Sequence, residues 1–321
     1  MNPLGRIVRH IGPARPGCLR QVTADMKLVD VGTGPALVLV PGIQGRWEWM
    51  RPAVDALAET CRVVTFSLAD EPTCGATFDP DKGFDCYVEQ IGAAMDQAGL
   101  ERAVVAGVSY GGLMAAAFAA RHPERTAGLV LVSALPPGWR PDARARFYIR
   151  RPRLLMPLFL LASLRMYREI AAARPGVRAG LSAASQHAMN ALTHMFSPGR
   201  MARRVRLVER LELGRELGSV SIPTLVVTGE AALDRVVPVA LTEQYLRIFR
   251  HAERVTLERT GHLGSITRPR EFAAAVGDFV GRVAGAGTLP GRDTARPAHR
   301  QGRALPRSRS EAGRIERTKV G

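Results

Sequence analysis

Three polar residues of this chain, Ser109, Asp234 and His262, each stand just beyond a short apolar run. Their types suit nucleophilic acyl transfer. A serine hydroxyl alone is a poor nucleophile; it needs a base to take its proton, and the base needs an acid to hold its tautomer and stabilise the imidazolium. The serine lies in Gly107-Val108-Ser109-Tyr110-Gly111, which reads G-x-S-x-G. That pattern holds a serine on a tight turn from strand to helix, with small neighbours so that the backbone can bend sharply. The bare pattern is common, and its flanks give it weight. Residues 102–106 form a short run of β-branched, strand-like character, and residues 112–120 are small and helix-forming, ended by His122-Pro123.

Of seven histidines, His122 sits at a helix end on the far side of the expected sheet from the serine. His187 and His194 lie in a helical stretch, His10 and His299 in loose ends, and His251 just before a strand. His262 alone falls in a loop directly after a strand, with Gly261 and Gly264 leaving it room to reach inward. Asp234 follows another strand end as the candidate acid. Glu230 is its nearest rival, and pairing of Asp234 with Arg235 is the plain alternative. An acyl-transfer site also needs an oxyanion hole, two backbone N–H groups aimed where negative charge develops. Tyr110 follows the serine and supplies one. The loop at residues 41–45 supplies the other, with Ile43 the best placed, unless that segment is merely a tight turn.

These residues require a scaffold that brings loop ends together. Residues 36–40, 61–66, 103–108, 126–132, 223–229 and 254–257 read as strands, several of them continuously apolar, as in a parallel sheet buried on both faces. Helical patterns at residues 49–59, from Asp85 (a candidate cap) to about 98, after Ser109, and from Pro269 to about 283 alternate with them. The alternation predicts an α/β fold with a doubly wound, mostly parallel sheet whose functional loops gather at the strand C-terminal ends. It breaks at Pro136-Pro137-Gly138. The divisions expected are a loose lead-in over 1–18, a core over 19–135 and 216–285, a helical cap over 136–215, and a basic, disordered tail over 286–321.

The chain has 321 residues, 46% of them hydrophobic, with 45 Lys and Arg against 29 Asp and Glu. The net charge of +16 would suggest an anionic partner, but it is concentrated. Residues 136–215 hold 16 basic and 4 acidic residues, whereas the main body is near neutral. With 6% aromatics and no recognition motif, no specific nucleic-acid binding is expected, while weak association with an anionic membrane surface stays open. The four cysteines form no C-x-x-C pair and read as reduced thiols of a cytoplasmic protein; a Cys74–Cys86 bridge is the alternative if it is exported. The longest apolar stretch, residues 154–164, is too short to span a bilayer.

Taken as a set, the loop Pro41-Gly42-Ile43, the elbow G-V-S-Y-G-G, residues 119–125, the segment Asp234-Arg235-Val236-Val237-Pro238 and Gly261-His262 resemble the α/β-hydrolase superfamily over roughly residues 20–283. The order serine, acid, histidine matches that arrangement. The resemblance implies an eight-stranded sheet, a helical cap inserted after the sixth strand, and no cofactor. The function expected is hydrolysis of a small hydrophobic carboxylic ester by Ser109, His262 and Asp234. A thioesterase, amidase, carbon–carbon bond hydrolase or cofactor-free peroxidase using the same residues is the alternative, and a non-catalytic binding protein of this fold is another. Cap residues Leu154, Leu155, Met156, Leu158, Phe159, Leu160, Leu161, Leu164, Met166, Met189, Met195 and Phe196 either line an apolar pocket or pack the cap on the sheet.

Overall fold

The computed structural model describes residues 26–163, 166–173, 197–209, 211–218, 220–287 and 317–319. Seven strands follow one another through the body of the chain: β1 (Leu28–Val31), β2 (Ala36–Val40), β3 (Arg62–Phe66), β4 (Ala103–Val108), β5 (Thr126–Val132), β6 (Thr224–Thr228) and β7 (Ala252–Thr256). An eighth, β8 (Arg317–Lys319), adds to the far edge. The sheet order is β1-β3-β2-β4-β5-β6-β7-β8; β1 and β8 run antiparallel to their neighbours and every other pair is parallel.

Strand alternation splits the core into two layers. On one face Val38, Val40, Val64, Val105, Leu129, Leu131 and Val226 pack against helices α2 (Phe84–Gln97) and α3 (Tyr110–Arg121). On the other, Leu37, Leu39, Val63, Val104, Val130 and Val227 meet α1 (Arg51–Leu57) and the last helix, Pro269–Gly287. Because β2 and β4 are central and covered on both sides, the loops after Val40 and Val108 leave the same sheet edge side by side, in the register Val40 opposite Gly107.

Between β5 and β6, over the segment expected as a cap, the described residues form α4 (Ala143–Arg150), α5 (Met156–Ser163), α6 (Tyr167–Ala173) and α7 (Pro198–Val208). Asp142 caps α4 by accepting the Ala145 N–H, and Ser197 caps α7 through the Arg200 N–H. Ile170, Ala173, Ala202, Val205 and Val208 are buried and dock the cap.

Several details differ from the sequence reading. Asp85 is not the cap of α2; Gly83 holds that position at φ 57°, and Asp85 in the first turn pairs with Arg121 instead. Among the described residues, five strands precede the insertion. The eighth strand comes from the C-terminal segment; residues 1–25, most of the tail, Cys18, His10, His187, His194 and His299 lie outside the described residues. Cys61, Cys74 and Cys86 are free thiols, so Cys74 and Cys86 are not bridged. Leu154, Leu158 and Leu161 are 68%, 45% and 63% exposed, so these three neither line an enclosed pocket nor pack the cap on the sheet. Leu164, Met189, Met195, Phe196 and the side chains of Phe159 and Leu160 lie outside the described residues. No helix among the described residues is long and apolar enough to cross a membrane.

Candidate active site

Ser109 terminates β4 at φ 55° and ψ −114°, a left-handed backbone that L-residues rarely adopt and that stores strain where it occurs. Bonds on both sides hold the turn. The Ser109 N–H donates to Val132 O at 2.8 Å, and Ser109 O accepts from Gly112 N at 3.0 Å and Leu135 N at 3.3 Å. The glycines are needed here for space: a Cβ on Gly107 would stand 2.2 Å from Gly111 O. A sharp turn between buried strand and buried helix therefore lifts the hydroxyl to the C-terminal edge of the sheet.

His262 reaches that hydroxyl from the loop after β7. Its Nε2 lies 3.1 Å from Ser109 Oγ. Its Nδ1 lies 3.4 Å from Asp234 Oδ2, on the loop after β6. That second approach is close enough for an ion pair, yet it misses hydrogen-bond geometry, so Nδ1 has no aligned acceptor. Such bonds are commonly long in ligand-free sites and tighten when substrate binds. The carboxylate is fixed from its other oxygen: Asp234 Oδ1 accepts the Val236 and Val237 N–H groups, both at 2.9 Å. Its partners are thus its own loop and His262. Glu230, the rival acid, accepts the Arg259 N–H at 2.6 Å and serves the neighbouring turn.

The loop after β2 lies against the elbow. A Cβ on Gly42 would meet Ser109 Cβ at 3.7 Å. Ile43 and Tyr110 thus sit on the two backbone segments that converge on the serine. Tyr110 is the first residue of α3, where an N–H has no intrahelical acceptor. Ile43 N–H makes no bond to another backbone group among the described residues. The Tyr110 ring turns the opposite way, packing edge-on against Phe84 and Tyr87, and burial drives its hydroxyl pKa well above the ordinary value.

Two further residues meet these loops, both from the cap and neither singled out by the sequence reading. Arg204 in α7 is completely buried. It donates to Ile43 O at 2.7 Å, to Glu71 Oε1 at 2.6 Å, and through both Nε (3.1 Å) and Nη2 to Asp70 Oδ1. Those carboxylates raise its pKa against the opposing cost of burial. Gly45 makes room for it, since a Cβ there would stand 2.3 Å from the guanidinium. Glu169 in α6, 1% exposed, turns its carboxylate onto the loop that carries His262. Burial pushes its pKa up, and loop N–H donors oppose that shift. A compositional signal existed for Glu169, one of four acids among 16 basic residues in the cap; Arg204 had none. A groove of about 510 Å³ lined by Lys82, Phe84, Asp85, Arg203 and Leu207 lies apart from this site and shares no residue with it.

A mostly parallel sheet that offers a strained serine, a carboxylate and a histidine from the ends of β4, β6 and β7 defines an enzyme of the α/β-hydrolase class. The chain belongs to the alpha/beta hydrolase family, whose pattern it matches over residues 37–275. It is similar to “Putative carbamate hydrolase RutD” of Caulobacter sp. (strain K31), 28% identical over 276 residues that cover 80% of this chain and 97% of that protein. Among solved structures it resembles an esterase (EaEST) from Exiguobacterium antarcticum, with a TM-score of 0.67 and 16% identity over 81% of this chain and 98% of the esterase. It also resembles the enol-lactonase from Burkholderia xenovorans LB400, with a TM-score of 0.57 and 20% identity over 80% of this chain and 96% of the lactonase. At those identities the two structures attest the fold.

Proposed function

We propose that this hydrolase cleaves a carboxylic ester of small, hydrophobic character through an acyl-enzyme on Ser109. The observation that carries the reading is the 3.1 Å contact between Ser109 Oγ and His262 Nε2 at a strained elbow. With a proton on Nδ1 facing Asp234, Nε2 is free to accept. Ser109 Oγ attacks the carbonyl carbon and its proton passes to His262 Nε2. The N–H groups of Ile43 and Tyr110 hold the oxyanion. Collapse breaks the bond to the leaving alcohol, which takes the proton from His262. Water then attacks the acyl-enzyme with His262 again as base, releasing the acid and restoring Ser109. Asp234 holds the imidazole in the required tautomer and stabilises the imidazolium.

A second reading draws on the RutD likeness, which extends along nearly the whole of that protein. A carbamate presents the same electrophilic carbonyl, so the same residues would serve with a different leaving group. Parallel rates on short nitrophenyl esters and on aryl carbamates distinguish the two. Ester turnover that disappears in Ser109→Ala supports the leading reading; undiminished turnover in that variant overturns the mechanism for both.

A further inference from the structure

His262 sits in a loop whose backbone is tied to the cap by one side chain. Glu169 Oε1 accepts the Thr260 hydroxyl at 3.0 Å, the Gly261 N–H at 2.8 Å, and the Leu263 N–H beyond it. The residues on either side of His262 are therefore held by one carboxylate 91 to 94 positions away in the sequence. Ile170 and Ala173, both buried, already dock α6, and an apolar residue at 169 would complete that contact without desolvating a charge. A carboxylate is what the loop requires: three convergent donors and an adjacent imidazole that turns positive during the reaction, with His262 close enough to favour the ionised form of Glu169.

We propose that Glu169 is a positioning residue for His262, so that the cap sets the geometry of the base. The proposal rests on the reading of His262 as the base of the acyl-enzyme mechanism. By fixing the peptide groups before and after His262, Glu169 limits the rotation and drift of the ring relative to Ser109 Oγ. The oxyanion-side loop is gripped in the same manner by Arg204 on Ile43 O. The cap thus holds the backbone on both sides of the reacting carbonyl, through one buried charge of each sign.

The test uses the full chain with Glu169→Gln, which keeps the shape and loses the charge, beside Ile170→Ala, which loosens cap docking without touching the loop. Three quantities are measured: kcat and KM on a short nitrophenyl ester, the rate at which a fluorophosphonate labels Ser109, and Tm. The expected result is a fall in kcat and in labelling rate of roughly 10- to 100-fold for Glu169→Gln, the scale of a misplaced catalytic group. KM should stay within about twofold, and Ile170→Ala should keep kcat within about threefold for a comparable loss of Tm. If Glu169→Gln loses no more kcat than Ile170→Ala, the residue is cap packing and the proposal is overturned. If wild-type Ser109 is not labelled at all, the acyl-enzyme reading fails first and takes the proposal with it. Equal labelling of wild type and Glu169→Gln overturns the proposal alone. Should Glu169→Gln not fold, Thr260→Val removes one of the three donors. A kcat lowered by about threefold at constant KM then supports the proposal, and an unchanged kcat overturns it.

Discussion

Replacing Arg204 by methionine keeps most of the side chain's volume and removes the charge that neutralises Asp70 and Glu71. Both carboxylates are buried at their side chains, and each leaves one oxygen, Asp70 Oδ2 and Glu71 Oε2, without a hydrogen-bond partner among the described residues. Their other oxygens depend on Arg204, with Arg200 assisting Glu71 at 3.1 Å. Removing one partner of a buried ion pair typically costs about 3–5 kcal/mol, because the remaining charge keeps its desolvation penalty. Arg200 restrains one carboxylate only, so the full range applies to Asp70. At about 2–4 °C per kcal/mol for a domain of this size, Tm should fall by roughly 6–20 °C. Urea titration should show a lower midpoint with an unchanged slope, which is the mark of lost stability rather than altered compactness. Arg204→Lys, which keeps the charge but cannot reach Ile43 O and both acids together, should fall between wild type and methionine. A loss below about 1 kcal/mol for Arg204→Met would refute the view that this network is a desolvated, mutually dependent set.

Four other outcomes follow from the geometry. Asp234→Asn should lower kcat by about 10⁴-fold while leaving KM and the fold nearly unchanged, measured by steady-state kinetics and circular dichroism. Gly107→Ala should fail to give soluble folded protein, since its Cβ would meet Gly111 O at 2.2 Å; normal yield and Tm would contradict the close approach. Glu169 has a folded pKa raised above its unfolded value, so the folded state binds the extra proton. Stability should therefore rise as pH falls through the raised pKa, while activity drops as the protonated carboxyl loses its grip on the His262 loop; paired Tm and kcat profiles test the opposite signs. Finally, Arg144, Arg146, Arg150, Arg151 and Arg153 are exposed without an acidic partner among the described residues, beside exposed Leu154, Leu158 and Leu161. Co-sedimentation with phosphatidylglycerol vesicles, weakened by salt and by Leu158→Ser, is the expected behaviour, and equal binding to neutral vesicles would contradict it.

The elbow was legible in the sequence because its chemistry demands particular residue types at fixed spacing: glycines for close approach, a strand before and a helix after. Asp234 and His262 were legible as polar residues in loops that follow buried strands, and the structure sets His262 Nε2 3.1 Å from Ser109 Oγ and its Nδ1 3.4 Å from Asp234 Oδ2. Glu169 and Arg204 were hidden by distance. Their partners lie 91 to 161 positions away, and no local pattern relates a cap helix to a loop end. Three of the cap's apolar residues were misread for a related reason. Over residues 154–161 a run of leucines is equally compatible with a lining, a packing face or an exposed one, and only tertiary placement shows Leu154, Leu158 and Leu161 exposed. The α2 start was misplaced by two residues because Gly83 at positive φ can end a loop as well as Asp85 can cap a helix.

The proposed chemistry begins at one atom, Ser109 Oγ. Mass spectrometry of the intact chain after a fluorophosphonate label, followed by peptide mapping, tests it most directly. The expected result is a single adduct on Ser109, lost in Ser109→Ala and slowed in His262→Ala, with ester turnover lost in step. An adduct on another residue, or full ester turnover in Ser109→Ala, would contradict the account.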